Sequence, residues 1–208
     1  MKLADQTVTS FVDLMASDAP APGGGSAAAL EGALGAALTA MVCALTQGKK
    51  KYAEFAELAE GVGEKAQALK AQYVDVIDRD TQAFNAVSAV FAMPKDTDEQ
   101  KAARSGAMQE ALKGCTKTPF EMMELATKAL ELTDSVVGRS NASAASDLGC
   151  AALSLKAAIQ GAWLNVLINI GGLKDQAFAD QYRAGGEALL KKALPLADSI
   201  YEKVLNSL

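Results

Sequence analysis

A chain of 208 residues is long enough for one domain with a sizeable core, and half of it is apolar while only 5% is aromatic, so its elements must meet over small side chains. Twenty basic against 25 acidic residues give a net charge of −5, which argues against nucleic acid or an anionic membrane as partner. Histidine is absent, which removes the commonest acid–base group and metal ligand and leaves proton transfer to Asp, Glu, Lys, Tyr or Cys.

Met1–Gln6 lacks the apolar core of a signal peptide, and the three separated cysteines, Cys43, Cys115 and Cys150, fit reduced thiols, so a cytoplasmic location is expected. From Thr9 to Met15 a short amphipathic helix is predicted, with Phe11, Leu14 and Met15 on one face. Ala19-Pro20-Ala21-Pro22-Gly23-Gly24-Gly25-Ser26 follows. Its prolines favour extended backbone and its glycines leave peptide groups uncovered; Ser26 stands where an N-cap is expected. Such a turn aims free N–H groups and a helix dipole at an approaching ligand. No strand precedes it and the phosphate-loop pattern is missing, so it is not a nucleotide fingerprint.

Ser26 to about Gln47 is a predicted helix that is small on nearly every side, stopped by Gly48. Lys49-Lys50-Lys51-Tyr52 then offers cations to a helix C-terminus or to an acidic ligand. Phe55 to about Ala92 is a long helix or a broken pair, with an Asp75–Arg79 ion pair at i, i+4 and with Asp80 one turn before Phe84. Met93-Pro94 breaks it. The segment Asp98–Gly114 is a polar helix expected to carry on past Thr118-Pro119 to Thr133, with Pro119 beginning a helix at its first turn and Thr118 as its cap.

The small, polar run Gly138–Asp147 leads into a helix ending near Ile170, with Ser143 or Ser146 as cap and Asp147 favouring its N-terminus. Asn165 and Asn169 share a face of that helix; Asp147 points the same way but lies roughly 27 Å from Asn165. Neither Ala27–Leu45 nor Ala157–Ile170 reads as a membrane span. Gly171-Gly172 ends the helix, and the remainder to Leu208 is a helix interrupted near Pro195. With no alternating strand pattern, no repeat and no linker, residues 1–208 are expected to form a single all-α bundle of about six to eight helices.

Five blocks in order, Pro20–Leu30, Gly48–Tyr52, Asp80–Phe84, Ser146–Gly149 and Asn165–Asn169, resemble the cyclodeaminase/cyclohydrolase family of folate enzymes over nearly the whole chain. The resemblance implies an all-helical homodimer that binds a tetrahydrofolate derivative as substrate, with no metal or other cofactor. It implies Asp80 and Asp147 as candidate catalytic carboxylates. Pro22, Gly23, Gly24, Gly25 and Ser26 would line the folate site, Lys49, Lys50 and Lys51 would be candidates for the glutamate tail, and Tyr52, Ser146, Asn165 and Asn169 would complete the binding set. The expected reaction is hydrolysis of 5,10-methenyltetrahydrofolate to 10-formyltetrahydrofolate. Its alternatives are formimidoyltetrahydrofolate cyclodeamination with loss of ammonia, and a non-catalytic folate-binding or scaffold protein.

Overall fold

The computed structural model describes residues 2–208 and contains, among them, six α-helices and no strand. The helices are α1 (Val8–Met15), α2 (Gly24–Thr46), α3 (Ala56–Phe91), α4 (Asp98–Val136), α5 (Ala145–Ile170) and α6 (Gln176–Leu205), joined in places by short 3-10 turns at Leu3–Asp5, Lys50–Phe55 and Ala142–Ala144. α2 is the central rod. It packs chiefly on α3 and α5, while α4 lies against α3 and α5 and α6 closes the far side.

Small residues make this arrangement possible. A Cβ placed on Gly32 would fall 2.7 Å from Tyr73 Cδ1 and nearer still to other ring atoms; one on Gly35 would fall 2.6 Å from Leu155 Cγ and 3.0 Å from the Ala151 carbonyl. The Tyr73 ring is fully buried, and its hydroxyl donates to the Met122 carbonyl at 2.7 Å, so a polar tip inside the core is satisfied. The main core runs through Ala29, Tyr73, Val76, Met122, Leu130, Leu155, Ile159 and Ile200. A second cluster, around Val42, Val62, Val136, Leu148 and Val204, fills the opposite end of the bundle. By length and composition, α2 and the span Ala142–Ile170 would suffice to cross a membrane; here they pack on each other, with 56% and 39% of their most apolar windows buried.

Thr7 caps α1, Asp175 caps α6, and Thr97 with Gln100 forms a complete capping box on α4. Gly48, at φ +71°, ends α2 in the left-handed conformation that glycine adopts without strain. The expected Asp75–Arg79 pair is present at 2.7 Å, and Arg79 also forks onto Glu121 of α4 at 2.8 and 2.9 Å.

Several local expectations are corrected. Pro119 does not open a helix: it is buried inside the unbroken α4. Having no N–H, it leaves the carbonyl of Cys115, four residues back, without its helical donor, and Asn169 of α5 supplies one through Nδ2 at 2.9 Å. Pro195 likewise lies within a continuous α6. Ser26 is not the cap of α2; Gly23 holds that position, because the Ser26 side chain turns onto α3 instead. Neither Ser143 nor Ser146 caps α5. The side chain of Asn141 caps the preceding 3-10 turn and reaches the Leu45 carbonyl, while its backbone N–H donates to Thr46 Oγ1, which fastens this loop to the C-terminal end of α2.

Candidate active site

The Pro-Gly turn leaves α2 beginning on three residues without side chains of any bulk, Gly23, Gly24 and Gly25. α3 uses the space. A Cβ on Gly25 would lie 2.6 Å from both Cγ and Oδ2 of Asp80 and closer still to Oδ1, so the carboxylate occupies the volume that a side chain there would fill. Ser26 Oγ lies 3.0 Å from Asp80 Oδ2, 3.3 Å from the Ile77 carbonyl and 3.3 Å from Thr81 Oγ1. Asp80 therefore rests on the positive end of the α2 dipole. Burial raises its pKa above the usual carboxylate value, and the hydroxyl and backbone N–H of Ser26 pull against that rise.

This carboxylate opens into a cleft of about 510 Å³, a size suited to a small organic ligand. The Pro20–Gly25 turn forms one wall. Thr81, Ala83, Phe84, Val87 and Phe91 come from α3, Leu112 and Cys115 from α4, and Asn165, Ile168 and Asn169 from α5. Among the described residues no lysine or arginine lines it. The polar surface is one carboxylate, one hydroxyl, two amides and a thiol. Burial and the nearby Asp80 charge push the Cys115 thiol up to about 11, and it donates to the Ala83 carbonyl at 3.0 Å. It is a protonated donor at neutral pH, not a nucleophile. Beyond Phe91, at the mouth, lies an adjoining hollow lined by Lys95, Lys101 and Arg104.

Gly23, Gly24, Gly25, Asp80, Asn165 and Asn169 are thus brought to one cleft from segments distant in sequence, with Ser26 directly beneath the carboxylate. Pro22 is buried behind the turn and is not part of the lining. The other candidate residues lie elsewhere. Lys49, Lys50, Lys51 and Tyr52 follow the C-terminal end of α2, some 23 residues from the glycines, which is roughly 35 Å of helix. Lys49 and Lys50 border a separate surface hollow with Thr46 and Gly48, and the Tyr52 hydroxyl accepts from the Ala142 N–H at 3.0 Å. Asp147 sits in the first turn of α5, at the opposite end of that helix from the two asparagines, and Ser146 borders a hollow with Cys150, Leu153 and Tyr201. Thr81 and Ile168 fall inside the Asp80–Phe84 and Asn165–Asn169 blocks without being site candidates, whereas nothing in the sequence places Leu112 or Cys115 at the cleft.

The profile of the family described as formiminotransferase-cyclodeaminase matches residues 7–188. A methenyltetrahydrofolate cyclohydrolase of Methylorubrum extorquens is 44% identical over 200 residues, covering 96% of each chain. The formimidoyltransferase-cyclodeaminase of Rattus norvegicus is 32% identical over 92% of this chain, which spans only 35% of that longer protein. The crystal structure of formiminotetrahydrofolate cyclodeaminase from Thermotoga maritima superposes with a TM-score of 0.84 at 25% identity, covering 100% of this chain and 98% of the other. With a profile match over most of its length and relatives this similar, the chain belongs to the formiminotransferase-cyclodeaminase family.

Proposed function

We propose that this protein hydrolyses 5,10-methenyltetrahydrofolate to 10-formyltetrahydrofolate. The observation that carries the reading is the single carboxylate of Asp80 in a mostly apolar cleft that no lysine or arginine among the described residues lines. The methenyl substrate carries a positive charge spread over a carbon between two nitrogens, and such a cleft favours a cation with apolar flanks. The similarity to the Methylorubrum protein over 96% of both chains supports the same choice.

In this reading Asp80 takes a proton from a water molecule as that water's oxygen bonds to the methenyl carbon, giving a neutral tetrahedral adduct. The bond from that carbon to N5 then breaks. Asp80 returns its proton to N5, the hydroxyl proton leaves to solvent, and the carbon becomes the formyl group on N10. A carboxylate with a raised pKa suits both halves, since it accepts and gives back a proton at modest cost. No lysine among the described residues lines the cleft to serve as the acid, and Asp147 is too far along α5 to share the reacting carbon. The chemistry calls for no cofactor. For the glutamate tail, the hollow with Lys95, Lys101 and Arg104 adjoins the cleft through Phe91, whereas Lys49–Lys51 of the same chain do not.

We also propose a cytoplasmic homodimer. α2 exposes Leu34, Met41 and Leu45, and α5 exposes Leu153, Leu164 and Ile168, an apolar surface suited to a second copy. Because Ile168 belongs to the cleft as well, that copy would border the mouth. Purified protein mixed with 5,10-methenyltetrahydrofolate should speed the loss of its characteristic absorbance without releasing ammonia. Ammonia from 5-formimidoyltetrahydrofolate, with no hydrolysis of the methenyl compound, would favour the cyclodeaminase named in the Thermotoga structure. Binding without turnover of either would leave only a folate-binding scaffold.

A further inference from the structure

Two amides line the cleft, and each is tethered by a backbone carbonyl. Asn165 Nδ2 donates to the Gly161 carbonyl at 2.8 Å, and Asn169 Nδ2 to the Cys115 carbonyl at 2.9 Å. A carbonyl only accepts, so these bonds fix which end of each amide is nitrogen. Among the described residues neither Oδ1 has a partner, and neither is sealed from solvent. One turn apart on α5 and both among the cleft-lining residues, they keep an unspent acceptor each for a ligand, beside the second N–H of each Nδ2. The tether on Asn169 depends on a residue outside the cleft. The Cys115 carbonyl is free because Pro119, buried inside α4, has no N–H to give it.

We infer that Asn165 and Asn169 form an acceptor wall that selects the amino-bearing edge of a reduced pterin, and that Pro119 is the positioning residue that commits the Asn169 amide to this orientation. The inference rests on the folate reading. A pterin carries its N–H donors along one edge, and the carboxylate of Asp80 together with two amide oxygens supplies acceptors to meet them. A ligand carboxylate at the same wall would meet the two amide oxygens and could pair only with the second N–H of each Nδ2. With alanine at 119, α4 regains its own N–H for the Cys115 carbonyl, Asn169 shares or loses that acceptor, and its amide is free to turn.

The test compares 5,10-methenyltetrahydrofolate with its 2-desamino-2-methyl analogue, in both turnover and calorimetric binding. The unmodified protein should prefer the amino compound by about tenfold, the worth of a well-placed hydrogen bond. Asn169→Leu should raise KM about tenfold for the natural compound, hold kcat within about threefold, and shrink the preference to about twofold. Pro119→Ala should do the same in milder form, with a KM increase of about threefold and a reduced preference, while Asn169→Asp, which cannot donate to Cys115, should not restore it. A purely structural role for Pro119 would move the melting temperature and leave the preference untouched, and that result would overturn its positioning role. Full preference in Asn169→Leu would overturn the acceptor wall. If the unmodified protein turns over neither compound yet binds the amino compound preferentially, the proposed reaction falls and this inference stands on the binding data.

Discussion

Gly25→Ala isolates the contact on which the site is built. The new methyl group would lie 2.6 Å from Cγ and Oδ2 of Asp80 and closer to Oδ1, where non-bonded atoms rest at about 3.5 Å, so roughly 1 Å must be found. The helix backbone on one side and Ser26 on the other leave the carboxylate as the part that moves, and moving it stretches the 3.0 Å bond from Ser26 Oγ. A misplacement of about 1 Å in a reacting group costs about 100-fold in rate. Stability should suffer less: about 1–3 kcal/mol of overpacking is offset by up to about 1 kcal/mol of helix propensity gained. With the full offset the net loss is about 0–2 kcal/mol, a fall of up to about 8 °C at about 2–4 °C per kcal/mol in a chain of this size. The assay is kcat/KM by decay of methenyl absorbance, paired with thermal melts. The reference is Gly61→Ala in α3, where nothing lies within 4 Å of the added methyl; it should melt about 2–4 °C higher and keep full turnover. Gly25→Ala turning over within twofold of the unmodified protein would refute the argument that this glycine exists to seat the carboxylate.

Other outcomes follow from the same contacts. Asp80→Asn should lower kcat by about 10²–10⁴ and abolish the acid limb of the rate profile, the fall in kcat/KM as pH drops through the raised Asp80 pKa, read from pH–rate curves. The same variant tests stability. A carboxyl whose folded pKa is raised binds its proton more tightly when folded, so Asp80 contributes most when protonated, and the folded state loses that contribution as pH rises from the unfolded value near 3.8 through the folded one. Asp80→Asn should therefore melt above the unmodified protein at pH 7, with the gap closing towards acid pH. Gly32→Ala, which drives a methyl into the Tyr73 ring, should destabilise by about 1–3 kcal/mol in denaturant titrations. Alkylation followed by mass mapping should label the exposed Cys150 well ahead of Cys43 and Cys115, both buried with thiols raised to about 11.

The parts of this molecule that the sequence makes legible are those set within a few turns of chain. The helices follow apolar spacing, Gly48 and Gly171 mark the ends of α2 and α5, and Asn165 and Asn169 share a face because they are four residues apart. Asp80 was marked by its place one turn before Phe84, and both line the cleft. What local pattern misread depends on a neighbour. Pro119 looks like a helix start because its lost hydrogen bond is repaired from a helix 50 residues away. Ser26 looks like a cap because nothing nearby in sequence announces the α3 groups that claim its hydroxyl. The lysines after Gly48 look like partners of the glycine turn until the length of α2 separates them, and the roles of Leu112, Cys115 and Ile168 arise only where helices cross.

The seam between α2 and its neighbours has a bearing on how this scaffold can diversify. Where Gly32 meets an aromatic ring and Gly35 meets a peptide carbonyl, no atom can be added without prising helices apart, so the seats of α3 and α5, which both contribute to the cleft, are locked to the rod itself. Phe91 and Ile168 at the rim stand largely in the open, 63% and 77% exposed, where substitution leaves the interior undisturbed. Adaptation to ligands of different length or charge is therefore confined to the entrance, while the reacting end of any ligand meets one unvarying geometry.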